Sequence, residues 1–158
     1  MQRMESSKPV FNHILLADDD QDHGFLFKSI LHQVDASKRI SLVYDGDALL
    51  WFLHTKTPDL IFLDLNMPCK HGFDCLEEIK NNSRLRHVPV IVYSSSSQLS
   101  DIKLSYIHQA DFYMVKPFSS KHLHHALESI FTLDWNAGSP LNSHYYINNR
   151  FVPFTATA

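Results

Sequence analysis

Polar residues stand at the carboxyl ends of four short apolar runs. HILLA (13–17) leads into Asp18, Asp19 and Asp20, and LIFL (60–63) into Asp64. VPVIVY (88–93) leads into Ser94, and FYMV (112–115) into Lys116 and Pro117. If the runs are parallel strands, with the first and third adjacent, these ends share one edge. The site then holds two or three carboxylates, one hydroxyl and one ammonium. Clustered carboxylates repel one another and call for a cation. Carboxylate and backbone oxygens are hard ligands suited to Mg2+. A carboxylate is also a nucleophile toward phosphorus, giving an aspartyl phosphate. Mg2+ and a lysine commonly clamp a transferring phosphoryl group, and a serine hydroxyl can donate to its oxygens. The set suffices for phosphoryl transfer to a carboxylate. No G-x-x-x-x-G-K-[ST] loop occurs, so the donor is expected to be another molecule. Among Ser94 to Ser97 the register favours Ser94, which directly follows its run; the others read as loop and capping residues.

Such a site needs a sheet to hold it. A further run, ISLVY (40–44), brings the strands to five. All are nearly continuous in apolar residues, as strands covered on both faces are. Amphipathic stretches separate them. Their apolar positions are Leu26, Ile30 and Val34; Ala48, Trp51 and Phe52; Phe73, Leu76 and Ile79; Leu99, Ile102 and Tyr106; and Leu123, Leu127 and Ile130. Asp22 and either Ser119 or Ser120 are the expected N-caps of the first and fifth helices. This is a (βα)5 pattern over residues 11–131. Right-handed crossovers turn it into an open parallel α/β sheet with helices on both faces. Ligands of such sheets sit beyond the carboxyl ends of the strands. The run before Asp64 is therefore apolar because its strand is central, while its carboxylate lies at the site edge.

Bulk properties narrow the class. The chain has 158 residues, 44% of them hydrophobic, enough for one core, and a net charge of −3. No long basic run marks a nucleic-acid surface. No stretch approaches the ~18 apolar residues of a membrane span, and the polar start, MQRMESSKPVF, lacks a secretory core. Cys69 and Cys75 read as free thiols rather than a disulfide or redox pair, so a cytoplasmic setting is expected. The division expected is a polar extension (1–10), one domain (11–131) and an aromatic-containing tail (132–158) without an output domain.

The motifs ILLADDD, DLNMPCKHG, PVIVYSSS and YMVKPF, in that order and each at a strand end, resemble the response regulator receiver domains of two-component signalling. The resemblance covers residues 11–131. It implies a flavodoxin-like three-layer fold with strand order 2-1-3-4-5. It further implies that Asp64 is the phosphoacceptor, with Asp19 ligating Mg2+ directly, Asp18 through water and Asn66 through its backbone carbonyl. Ser94 falls at the switch hydroxyl position, Tyr113 at the switch aromatic, and Lys116 at the lysine that grips the phosphoryl group. Lys116–Pro117 is expected to be a cis peptide. Two positions depart from the family pattern: His71 replaces an Asp or Asn, and Gln109 a Gly. The run YSSSSQLSD resembles stand-alone regulators, including those paired with phytochrome-like kinases.

The implied function is a single-domain response regulator. A histidine kinase or phosphotransfer protein would phosphorylate Asp64, and a face formed by helix four, strand five and helix five would then bind a target, with a homodimer as a further possibility. Two rivals remain. One is a receiver-like module that is never phosphorylated. The other is a haloacid-dehalogenase-type phosphatase, which needs an acid two residues past its nucleophile, where this chain has Asn66. His122, His124 and His125 read as a solvated helix face rather than a metal site. In the tail, YYINNRFVPF reads as a hairpin around Asn148 and Asn149, with the aromatics packed on the domain or a partner.

Overall fold

The computed structural model describes residues 9–135 and 144–153. Residues 1–8 of the polar extension and Phe154 of the tail lie outside the described residues. Strands β1 (His13–Ala17), β2 (Arg39–Val43), β3 (Leu60–Leu63), β4 (Val90–Ser94) and β5 (Phe112–Val115) alternate with helices α1 (Gln21–Val34), α2 (Gly46–Thr55), α3 (Gly72–Asn81), α4 (Leu99–Ile107) and α5 (Ser120–Thr132). The five strands are parallel in the expected order β2-β1-β3-β4-β5. Their alternating side chains feed two cores. Leu15, Ile61, Val92 and Tyr113 meet α2, α3 and α4, while Leu16, Phe62, Ile91 and Met114 meet α1 and α5. β3, β4 and β5 are buried at every position, which is why their sequences show no polar alternation. No helix among the described residues is long and apolar enough to cross a membrane.

Four local expectations change, one being Leu99 of α4, which is exposed. α1 buries Phe27, Ile30 and Leu31, and Leu26 is exposed. In α2, Leu49 and Leu53 are buried while Trp51 is 76% exposed. In α1 the expected repeat of four residues drifts around a helix of 3.6 residues per turn, whereas the buried Gly24, Phe27, Ile30 and Leu31 keep to the face on the sheet. The α1 cap is Asp20, not Asp22. Its Oδ1 accepts from the Asp22 and His23 N–H groups at 3.0 and 3.2 Å. Asp20 still has extended backbone, as a cap requires, and Asp22 lies in the first turn, where its charge suits the helix dipole. Ser119 caps α5.

The Lys116–Pro117 peptide is trans, against the expected cis form: no cis bond occurs among the described residues. Trans is the lower-energy isomer by about 0.5–1 kcal/mol before proline. Lys116 is placed here by the β4–β5 ladder, its N–H donating to the Ser94 carbonyl at 2.8 Å.

The tail adds strands β6 (His144–Ile147) and β7 (Arg150–Pro153), an antiparallel hairpin. Asn148 and Asn149 have φ of 50° and 62°, the left-handed conformation both centres of a type I′ turn require. β6 adds in parallel to β5, with Met114 opposite Tyr146, so the sheet has seven strands. Tyr146 is buried edge-on against Phe151 at 5.1 Å, and its hydroxyl meets His125 Nδ1 at 2.8 Å. Trp135 packs edge-on against Phe11. His125 is exposed, as expected of a solvated face, and also anchors the hairpin through this contact. Tyr146→Ala should cost about 3 kcal/mol through the lost ring, and Tyr146→Phe about 1 kcal/mol through the lost hydrogen bond. Chemical denaturation of both variants checks this ranking; equal losses would contradict it.

Candidate functional site

The carboxyl ends of β1, β3, β4 and β5 converge as the sequence requires. The Asp64 N–H donates to the Ala17 carbonyl at 2.9 Å, and the Asp18 N–H to the Val43 carbonyl at 3.1 Å, so both carboxylates leave well-paired strands. Lys116 reaches them from β5. Its Nζ donates to Asp18 Oδ2 at 2.8 Å and to Asp64 Oδ2 at 3.0 Å. The three side chains are 14%, 1% and 7% exposed, so solvent screens this ion triad little. The ammonium also lies 5.5 Å from the centre of the Tyr93 ring.

The loops hold the acids in place. The Asp20 N–H donates to Asp18 Oδ1, and the Asn66 N–H to Asp64 Oδ1 at 3.1 Å. The start of α3 presses against Asp64, where the Gly72 N–H donates to the Leu65 carbonyl. A Cβ on Gly72 would lie 2.5 Å from the Asp64 carbonyl oxygen, so only glycine fits. His71 fills the departure position as the α3 N-cap, its Nδ1 accepting from the Phe73 N–H at 3.2 Å.

Electrostatics set the chemistry. Burial raises the Asp64 pKa above its usual value, and the Lys116 charge opposes this. Burial alone would lower the Lys116 pKa; hydrogen bonding to Asp18 and the charges of both carboxylates outweigh it and raise it. Asp18, Asp19 and Asp64 each offer an oxygen within 4.8 Å of the others, while Asp19 is exposed. Lys116 is the one ammonium that ion-pairs with this group among the described residues. Three carboxylates against one ammonium leave excess negative charge, and the hard oxygen donors fit a small divalent ion.

Ser94 is fully buried, and its Oγ accepts from the Ser96 N–H at 3.1 Å. Tyr113, also fully buried, donates its hydroxyl to the Ser96 carbonyl at 2.8 Å. Burial raises its pKa. The structure therefore brings together Asp18, Asp19, Asp64 and Lys116, with Ser94 and Tyr113 joined through the β4–α4 loop. Sequence reasoning missed Ser96 as the link and Tyr106, whose hydroxyl donates to the His144 carbonyl at the start of β6. A tyrosine on the inner side of α4 was the only signal for the second. Cys75 is buried, its pKa pushed up to about 11 mainly by desolvation, and is free like Cys69.

Comparison with known proteins agrees with this geometry. The family model described as response regulator receiver domain matches residues 14–128. The chain is 31% identical to the probable methanogenesis regulatory protein FilR2 of Methanothrix harundinacea, over 84% of this chain and 90% of that protein. It is 32% identical to the response regulator Rcp1 of Synechocystis, over 80% and 89%. Among solved structures, the phosphorylated cyanobacterial phytochrome response regulator RcpA aligns with TM-score 0.73 at 28% identity, covering 82% of this chain and 98% of that one. An Mn2+-bound form of Rcp1 aligns with TM-score 0.70 at 29% identity, over 81% and 97%.

The raised Asp64 pKa fixes a pH dependence. Above it, the fold carries a buried carboxylate that prefers to be neutral. As pH falls through the folded value toward the ordinary 3.8, the native state takes up a proton that the unfolded chain does not, and this residue's contribution to stability rises. In chelator, Asp64→Asn should therefore be more stable than wild type at neutral pH, and the gap should narrow across that acid window. Urea melts at stepped pH read it; a gap that widens on acidification would contradict it.

Proposed function

The chain belongs to the response regulator receiver domain family, and on that premise we propose that it is a phosphorylation switch acting by itself through its binding surface. The observation that carries the reading is the buried bridge of Lys116 to Asp18 and Asp64. An oxygen of Asp64 attacks the phosphorus of a phosphohistidine on a sensor kinase or phosphotransfer protein. The new O–P bond forms as the P–N bond breaks, and the electron pair leaves with the imidazole, which takes up a proton. Asp18, Asp19, Asp64 and the Asn66 carbonyl are the groups that would hold Mg2+. When bound, the ion supplies neutralisation of the charge on the transferring phosphoryl group. Lys116 exchanges its bond to the Asp64 carboxylate for one to a phosphoryl oxygen, and the Ser94 hydroxyl donates to another. RcpA is a phytochrome response regulator, so phytochrome-type kinases are the first class of donor to try.

Readout runs through groups already in contact. Moving Ser94 toward a phosphoryl group disturbs its bond from Ser96, and with it the Tyr113 hydroxyl. Tyr106, beside the Tyr113 backbone, carries the change to His144. The β5 edge, expected from the sequence to meet a target, is occupied by β6. The face offered is therefore α4, the hairpin and α5. The dehalogenase-type alternative lacks support, because Asn66 cannot supply the required acid or base and its N–H already donates to Asp64.

With acetyl phosphate and Mg2+, intact mass should show one phosphoryl addition, absent without Mg2+ and absent in Asp64→Asn. No addition, with Mg2+ binding demonstrated and rapid hydrolysis excluded, would favour the unphosphorylated module. Lys116→Met should still accept the group, yet lose any phosphorylation-dependent change in amide exchange of β6. An unaltered exchange response in that variant would contradict the readout.

A further inference from the structure

At the amino-terminal end of the sheet, opposite Asp64, a cleft of about 660 Å³ passes around the edge strand β2. Its lining is cationic. Lys28 comes from α1, Lys38 and Arg39 lead into β2, and Lys56 closes α2, with His13 and His32 between them. No carboxylate lines the cleft. Among the described residues no carboxylate pairs with Lys28, Arg39 or Lys56. Two acids stand beside the lining. Asp59 accepts from the N–H groups of Asn12 and His13 at 2.9 and 2.8 Å. Asp35 accepts from Ser37 and lies 3.7 Å from Lys38, whose Nζ donates to the Phe11 carbonyl.

His13 sits within this field, its Nε2 2.8 Å from Ser41 Oγ on the neighbouring strand. Burial first, then the Arg39 charge, lower its pKa; Lys56 adds to this and Asp59 opposes it. Burial is thus the main cause, and the cations of the cleft add to it. Edge strands often carry cations that discourage pairing, and Lys56 and His32 suit the negative ends of their helices. Neither reason calls for three unpaired cations to line one concavity.

We propose that this cleft binds a small molecule carrying two linked phosphoryl groups. Two such groups bear about three negative charges at neutral pH, which matches the unpaired cations. The cleft is open to solvent, and its volume lies in the range of small-ligand sites, about 300–1,000 Å³. The site is separate from Asp64 and works whether or not that residue is phosphorylated.

The test is calorimetric titration of the full chain in chelator, at physiological ionic strength, with pyrophosphate, ADP and inorganic phosphate. The His13 imidazole is followed in parallel by NMR. One saturable diphosphate site is expected, with inorganic phosphate weaker. Occupancy should raise the His13 pKa, because an adjacent anion favours the imidazolium. The exposed double variant Arg39→Ala/Lys56→Ala should bind about tenfold more weakly or worse, while Arg39→Lys stays close to wild type. ADP tighter than pyrophosphate assigns a nucleotide, and equal affinities a free diphosphate; both support the proposal. No saturation at millimolar pyrophosphate or ADP overturns it. So does binding unaltered in the double variant.

Discussion

The site depends on an ammonium held between two carboxylates where water has little access. Removing the lysine would leave two buried carboxylates facing each other, and stranding buried charge in this way typically costs about 3–5 kcal/mol. Lys116, Asp18 and Asp64 must therefore be delivered together, and each comes from the end of a different strand. Adjacent pairing of β1 with β3 sets the separation of the acids, and the β4–β5 ladder sets the reach of the lysine. Gly72 lets α3 begin directly against Asp64. The arrangement is also unsatisfied: one lysine faces three carboxylates. That imbalance, with hard oxygen donors close together, is the arrangement a divalent cation would relieve.

The hairpin bears on how a charge event at Asp64 would be felt. It extends the sheet past β5, buries Tyr146 between the end of the sheet and α5, and is tied to α4 through Tyr106. Ser94, Ser96, Tyr113 and Tyr106 then form a physically continuous route from the strand ends to β6. Burial of Ser94 and Tyr113 means that neither can move without a neighbour moving.

Much of this was legible in the residues. Buried parallel strands announce themselves as uninterrupted apolar runs, and where LIFL stops at Asp64 the strand stops too. The Asn148–Asn149 turn was legible because few residues other than glycine and asparagine tolerate its backbone. What escaped was set by tertiary context. Nothing local in YYI says that β6 joins β5, nor that His125 will meet Tyr146. Trp51 and Leu49 are equally apolar, and only packing against the sheet chose Leu49. Asp20 and Asp22 are equally good caps by type, and the length of the β1–α1 turn decided between them. The isomer before Pro117 was inferred from likeness to relatives, and the lysine reaches both acids from the trans form.

The most direct test of the account is to locate the phosphoryl group chemically. Borohydride reduces an aspartyl phosphate to homoserine, which peptide mass mapping places in the chain. After exposure to a phosphoryl donor and Mg2+, the account predicts homoserine at position 64 alone. Homoserine at 18 or 19, or a stable phosphoryl group on a serine or histidine, would contradict it.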